Sequence, residues 1–84
     1  MILSMNPMFD IEKKIHFIGI GGIGMSALAS ILSDKGFKVS GSDLSENYII
    51  KKLKKKKITV HLGHSKNNLK NIDIIVHSSA IKKN

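Results

Sequence analysis

The sequence predicts an α/β fold built on a parallel β-sheet. Short apolar segments alternate with amphipathic helical segments, a pattern typical of strands joined by helical crossovers. A G-x-G-x-x-G pattern separates the first strand from the first helix, and an acidic residue ends the second strand. With right-handed crossovers these observations predict a Rossmann-like, three-layer sheet of strand order 3-2-1-4, truncated at the flank of the fourth strand.

Composition is consistent with one small domain. The chain has 84 residues, of which 42% are hydrophobic. A chain of this length is too short to form a multidomain enzyme. Residues 1–12 hold the only proline and no sustained periodicity, so they are predicted to be a flexible lead-in to a domain at residues 13–84. The absence of cysteine excludes a disulfide scaffold, a thiolate zinc site and a cysteine nucleophile.

The first strand and helix surround the glycine pattern. Residues 15–20 form a short apolar strand, and residues 23–35 form a helix that ends before Gly36. Residues 15–33 carry no charge, but four glycines within residues 19–24 break the run, which argues against a signal peptide or membrane anchor. The inward-facing stripe of the helix is predicted from its spacing to comprise Ile23, Ala27, Leu28, Ile31 and Leu32.

The remaining elements follow in alternation. Residues 37–43 are predicted to form the second strand, and Ser45 is predicted to cap a helix over residues 46–56. Residues 58–62 form the third strand and residues 72–77 the fourth, with one helical turn over residues 65–70 between them. The predicted buried positions of the second helix are Ile49, Ile50 and Leu53, and those of the strands include His16 and His77.

The glycine pattern and Asp43 indicate a nucleotide site. Gly19 permits a tight turn, Gly21 lets a phosphate approach the backbone, and Gly24 lets the helix pack close to the strand. The free N–H groups at the start of the helix can then hold a diphosphate. Asp43, nineteen residues after Gly24, lies where such sites place an acid for the ribose hydroxyls. This favours phosphate binding over a merely structural turn.

The nucleotide itself stays open at this point. Adenine dinucleotides and uridine diphosphate compounds would both satisfy the same glycine loop and the same acid. An NAD-binding half-domain and a nucleotide-sensing module are therefore alternatives to a domain that binds a uridine diphosphate compound.

Three stretches carry a resemblance to a known family. HFIGIGGIGMS at residues 16–26, SGSD at residues 40–43 and HSSAI at residues 77–81 closely resemble the amino-terminal domain of the Mur ligases. The similarity covers residues 13–84. It implies a cytoplasmic, ATP-dependent ligase that adds L-alanine to UDP-N-acetylmuramic acid in peptidoglycan biosynthesis, and a domain here that binds the uridine diphosphate part of that substrate.

The resemblance also implies which residues meet the substrate. Gly19 makes the turn into a diphosphate cradle, and His64 faces the nucleotide. The cradle itself comprises Gly21, Gly22, Ile23 and Gly24. The uridine-side contacts are Asp43, Ser78, Ser79 and Ala80.

The departures from the family pattern limit what this chain does alone. The ATP-binding glycine-lysine-threonine loop, the metal-binding acid and the carboxyl-terminal domain have no counterpart in the sequence. We therefore expect no catalytic residue, no metal and no cofactor in this chain, and no ligation by it alone. ATP and magnesium would belong to the parent ligase, whose ATP-binding and carboxyl-terminal domains are the expected partners.

Other signals are assigned to structure. Six lysines within residues 51–57 are predicted to form a solvated helix face, because the chain has no arginine and few aromatic residues for base stacking. We expect neither a nucleic-acid nor a membrane partner. The four histidines lack the spacing of a metal site, and Ser78 and Ser79 lack the strand-to-helix elbow of a serine nucleophile.

Overall fold

A computed structural model describes residues 12–77 and contains the predicted parallel sheet. The predicted lead-in at residues 1–12 lies outside this range except for Glu12. The strand order is β3-β2-β1-β4, as predicted, and every pairing is parallel. The elements are β1 (Lys14–Ile18), α1 (Ile23–Asp34), β2 (Lys38–Asp43), α2 (Tyr48–Lys55), β3 (Thr59–Leu62), a 3-10 turn (Lys66–Leu69) and β4 (Ile74–His77).

The two faces of the sheet differ in chemistry. Successive side chains of a strand point to opposite faces. Ile15 and Phe17 of β1 pack with Ala29 of α1 and with Ile50 and Leu53 of α2 in one buried core. The opposite face carries His16 and Ile18 of β1, and in register with them Ser40 and Ser42 of β2. The face turned away from the helices is therefore largely polar.

Helix α1 buries a different stripe from the one predicted. Ala29 is fully buried, and Met25 and Leu32 pack against the core. Ile23, Ala27, Leu28 and Ile31 are exposed, Ile23 at 83%. Both stripes have spacings of three or four residues, so the periodicity alone did not distinguish them. Of the predicted stripe, only Leu32 is confirmed as a packing residue.

Helix α2 is capped two residues later than predicted. The side chain of Asn47 accepts a hydrogen bond from the amide of Ile50, whereas Ser45 lies outside the helix. Glu46 pairs with Lys54 at 3.4 Å rather than belonging to the first turn. Asparagine and serine cap almost equally well, so the local sequence did not discriminate between them. The predicted burial of Ile50 and Leu53 and the exposure of the lysines are confirmed.

Glycine at position 41 allows the chain that leaves β1 to pack on β2. An added Cβ there would lie 2.5 Å from Cδ1 of Ile20 and 2.9 Å from the carbonyl oxygen of Phe17. Ile20 is fully buried over this position. A larger residue would therefore displace a core side chain, a role that the sequence analysis missed.

Strand β4 is more exposed than predicted. Ile74 and Ile75 are 41% and 47% exposed, and His77 is exposed rather than buried. Among the described strands, β4 lies at the edge of the sheet and pairs only with β1. Within residues 12–77, none of the helices has the length and apolarity needed to span a membrane.

Candidate functional site

The glycine loop connects β1 to α1 at the carboxyl edge of the sheet. Gly19 has a φ of 81°, a conformation that favours glycine, and this turn ends β1 before the predicted residue 20. The amides of Gly19 and Ile20 both donate to the carbonyl oxygen of Ser42, at 2.8 and 3.0 Å. The predicted role of Gly19 as the turn residue is confirmed, and the loop is held against the end of β2.

The start of α1 presents unpaired backbone donors. Gly22 is the N-cap residue, with extended backbone, and no side chain among the described residues caps the helix there. The first intrahelical hydrogen bond runs from the amide of Ser26 to the carbonyl oxygen of Gly22. The N–H groups of Ile23, Gly24 and Met25 therefore have no acceptor within the helix. Gly22, Ile23 and Gly24 are exposed. Such a helix start can bind a phosphate group.

Asp43 holds the glycine loop directly. Its Oδ2 accepts a hydrogen bond from the amide of Gly21 at 2.7 Å, and its Oδ1 accepts one from the amide of Leu44 at 2.8 Å. An added Cβ at Gly21 would lie 2.8 Å from Oδ2. Glycine at position 21 is thus required by the approach of Asp43, a reason that the sequence analysis did not consider.

Gly24 does not have the packing role predicted for it. An added Cβ at this position meets no heavy atom within 4 Å. The close approach of helix and strand therefore does not depend on glycine here. The absent side chain leaves open space on the exposed surface at the start of α1.

His64 lies at the same edge of the sheet as the loop. The amide of Gly63 donates to the carbonyl oxygen of Asp43 at 2.7 Å, which fixes the segment after β3 beside the end of β2. The Nδ1 atom of His64 lies 2.6 Å from the hydroxyl of Ser42, and the residue is exposed. The structure thus brings together the glycine loop, Asp43 and His64, which are separate in sequence.

His16 is the buried histidine beneath this edge. Its Nδ1 lies 2.8 Å from the hydroxyl of Ser40, and its buried Nε2 has no partner among the described residues. The ring centroid of His61 is 6.3 Å away. Burial lowers the pKa of His16, and the nearby charges of His61 and His64 lower it further. Both effects favour the neutral form of His16.

The described part of the chain offers no metal centre. Within residues 12–77 no group of three or more histidine, cysteine, aspartate or glutamate side chains is arranged to hold a metal ion. The predicted contacts Ser78, Ser79 and Ala80 lie outside the described residues. The sequence analysis also missed Ser42, a buried residue that contacts both the loop and His64.

Comparison with known proteins identifies the family. Residues 14–84 match the family model described as Mur ligase family, catalytic domain. The chain belongs to the Mur ligase family. The resemblance in the glycine loop is therefore part of a similarity that extends over most of the sequence.

Similar Mur ligases share about half of the residues of this chain. The UDP-N-acetylmuramate--L-alanine ligase of Clostridium acetobutylicum is 53% identical over 79 residues, which are 94% of this chain and 17% of that relative. The ligase of the same name from Campylobacter jejuni subsp. jejuni (strain 81-176) is 55% identical over 71 residues, 84% of this chain and 16% of that relative. The chain thus spans less than a fifth of the length of these relatives.

Solved structures of Mur ligases share the fold. The UDP-N-acetylmuramate-alanine ligase of Thermotoga maritima has a TM-score of 0.76 and 39% identity, covering 82% of this chain and 16% of that one. The UDP-N-acetylmuramate:L-alanyl-gamma-D-glutamyl-meso-diaminopimelate ligase of Neisseria meningitides has a TM-score of 0.77 and 35% identity, covering 86% of this chain and 23% of that one. The Rossmann-like α/β architecture is therefore the one found in this family.

Proposed function

We propose that this chain is the part of a UDP-N-acetylmuramate--L-alanine ligase that binds UDP-N-acetylmuramic acid. The observation that carries the proposal is the exposed start of α1, which no described side chain caps, in a chain 48–55% identical to ligases of that name. The parent enzyme would use ATP to join L-alanine to the carboxylate of UDP-N-acetylmuramic acid. This reaction would take place in the cytoplasm, as a step of peptidoglycan biosynthesis.

The diphosphate would bind at the start of α1. The N–H groups of Ile23, Gly24 and Met25 supply donors, and the positive end of the helix dipole favours an anion. The formal net charge of +8 adds a general attraction for a negatively charged substrate. The empty space where Gly24 lacks a side chain leaves this backbone accessible.

The uridine side would meet Asp43 and His64. Both oxygens of Asp43 already accept backbone hydrogen bonds, but each has a further lone pair that a ribose hydroxyl can use. The Nδ1 of His64 is engaged by Ser42, so its Nε2 is the ring nitrogen that can meet the nucleotide. Ser78, Ser79 and Ala80 complete the proposed contacts.

The chemistry of ligation would depend on other parts of the parent protein. Phosphoryl transfer from ATP, with magnesium, activates the substrate carboxylate for attack by the amine of L-alanine. The residues in this chain bind and orient the uridine diphosphate end of the substrate, away from that reaction. The chain alone should therefore bind substrate without turnover.

An NMR titration of the labelled chain tests this proposal. UDP-N-acetylmuramic acid, UDP, uridine and NAD are added in parallel, and the amides of residues 19–26, 43 and 64 are followed. We expect shifts with UDP-N-acetylmuramic acid and UDP, and much weaker effects with uridine, which lacks the diphosphate. Selective shifts with NAD would instead support a dinucleotide-binding domain.

A matched pair of variants controls for nonspecific attraction. His64→Ala should weaken UDP binding about 3- to 10-fold, as expected for one lost hydrogen bond. Lys51→Ala removes an exposed positive charge on α2, outside the proposed site, and should leave affinity unchanged. A loss of affinity in Lys51→Ala with none in His64→Ala would show that UDP is attracted by the net charge, and would contradict the proposed site.

A further inference from the structure

We infer that Ser42 is a positioning residue for nucleotide binding, holding both the ring of His64 and the start of the glycine loop. This inference rests on the proposed function, because His64 and the loop are the groups assigned there to the ligand. Ser42 is 1% exposed, so its side chain offers almost no surface to a bound nucleotide. Its influence on binding would pass through the groups that it holds.

The side chain of Ser42 fixes one nitrogen of His64. Its hydroxyl lies 2.6 Å from Nδ1, a short hydrogen bond between a buried group and an exposed residue. An imidazole held at Nδ1 has a restricted ring orientation, and its Nε2 then points in one direction. Loss of the hydroxyl would free the ring to rotate and would weaken any ligand contact that Nε2 makes.

The main chain of Ser42 holds the loop at the same point. Its carbonyl oxygen accepts hydrogen bonds from the amides of Gly19 and Ile20, and the next residue, Asp43, accepts one from Gly21. Three consecutive loop amides are thus anchored on two consecutive residues of β2. The glycine loop and His64 are consequently held by the same short segment at the end of β2.

Ser40 provides an internal comparison. It lies two residues earlier on the same face of β2, and its hydroxyl contacts Nδ1 of His16 at 2.8 Å. His16 is buried, however, and lies within β1 rather than at the carboxyl edge. The two serines make the same kind of contact, but only that of Ser42 reaches a residue exposed at the candidate site.

A double-mutant cycle on UDP affinity tests the inference. Calorimetry would measure the UDP affinity of the unmodified chain, of Ser42→Ala, of His64→Ala and of the double variant. Each single variant should bind UDP about 3- to 10-fold more weakly than the unmodified chain. Because Ser42 acts through His64, we expect the double variant to bind no more weakly than His64→Ala alone. Ser40→Ala, the matched control, should keep the affinity of the unmodified chain. Additive losses in the double variant would overturn the inference.

A second measurement does not depend on the ligand. In Ser42→Ala, the ring resonances of His64 should move toward those of an unstructured peptide, while those of His16 stay in place. An unchanged His64 ring would overturn the inference, and an intact amide spectrum excludes unfolding as the cause of any loss. If the unmodified chain does not bind UDP, the proposed function fails and the inference fails with it. If the unmodified chain binds UDP but the losses in the double variant are additive, only the inference fails.

Discussion

The backbone amide of Gly21 donates a hydrogen bond to Oδ2 of Asp43 at 2.7 Å, and an added Cβ at Gly21 would lie 2.8 Å from the same oxygen. The glycine and the acid are 22 residues apart in sequence, and each has a predicted role toward the ligand. In the folded chain they are also a structural pair. Variants at either position therefore need a stability measurement beside any binding measurement.

Replacing Asp43 should destabilise the chain even without a ligand. Asp43→Ala leaves the amides of Gly21 and Leu44 without their acceptors, and we expect a loss of about 1–3 kcal/mol in the free energy of unfolding. Urea unfolding measures it, and UDP affinity should fall as well. Asp43→Asn keeps one carbonyl oxygen and should lose less. An Asp43→Ala variant as stable as the parent chain would exclude an anchoring role.

Glycines 21 and 24 should respond in opposite directions to alanine. Gly21→Ala forces a methyl group against Asp43 and against Cδ1 of Ile50 at 3.1 Å, so we expect about 1–3 kcal/mol of destabilisation. Gly24→Ala has open space and a helical position, and should stabilise the chain by up to about 1 kcal/mol. Thermal unfolding compares them. Destabilisation of Gly24→Ala would restore the close-packing role predicted from the sequence.

Two nearby polar residues, Ser45 and Asn47, should differ in how much they stabilise α2. Asn47→Ala removes the acceptor for the amide of Ile50 and should cost about 0.5–2 kcal/mol of stability. Ser45→Ala, two residues before the cap residue, should change stability by less than about 0.5 kcal/mol. Chemical unfolding of both variants provides the measurement. The reverse order of effects would place the cap at Ser45.

Stability should fall in mild acid because of His16. Its pKa in the folded chain is lowered, chiefly by burial, so the unfolded chain takes up a proton more readily. This contribution is complete above the ordinary histidine pKa of about 6.5 and is lost as the pH falls below that value.

The pH dependence of unfolding checks this prediction. Urea unfolding between pH 7.5 and pH 5 should show a smaller loss for His16→Gln than for the parent chain. His77→Gln, which changes an exposed histidine on the neighbouring strand β4, leaves His16 in place and should retain the loss. Parallel curves for the parent chain and His16→Gln would contradict the assignment.

Sequence reasoning succeeded where a local pattern has one physical solution. The alternation of apolar and amphipathic segments predicted the parallel sheet and the order β3-β2-β1-β4. The turn at Gly19 followed from the need for a positive φ between strand and helix. It was less successful where two local solutions are nearly equal in energy, as with the cap residues Ser45 and Asn47 or the two apolar stripes of α1.

The sequence by itself determined the fold class, the glycine loop and the family, because these depend on short-range periodicity and on a contiguous motif. Only the tertiary structure decided that Asp43 binds Gly21, that Gly41 makes room for Ile20, and that Ser42 contacts both the loop and His64. Each of these contacts joins residues about 20 positions apart, and parallel pairing brings them together at one edge. No local pattern encodes such distances, because the register of neighbouring strands sets them.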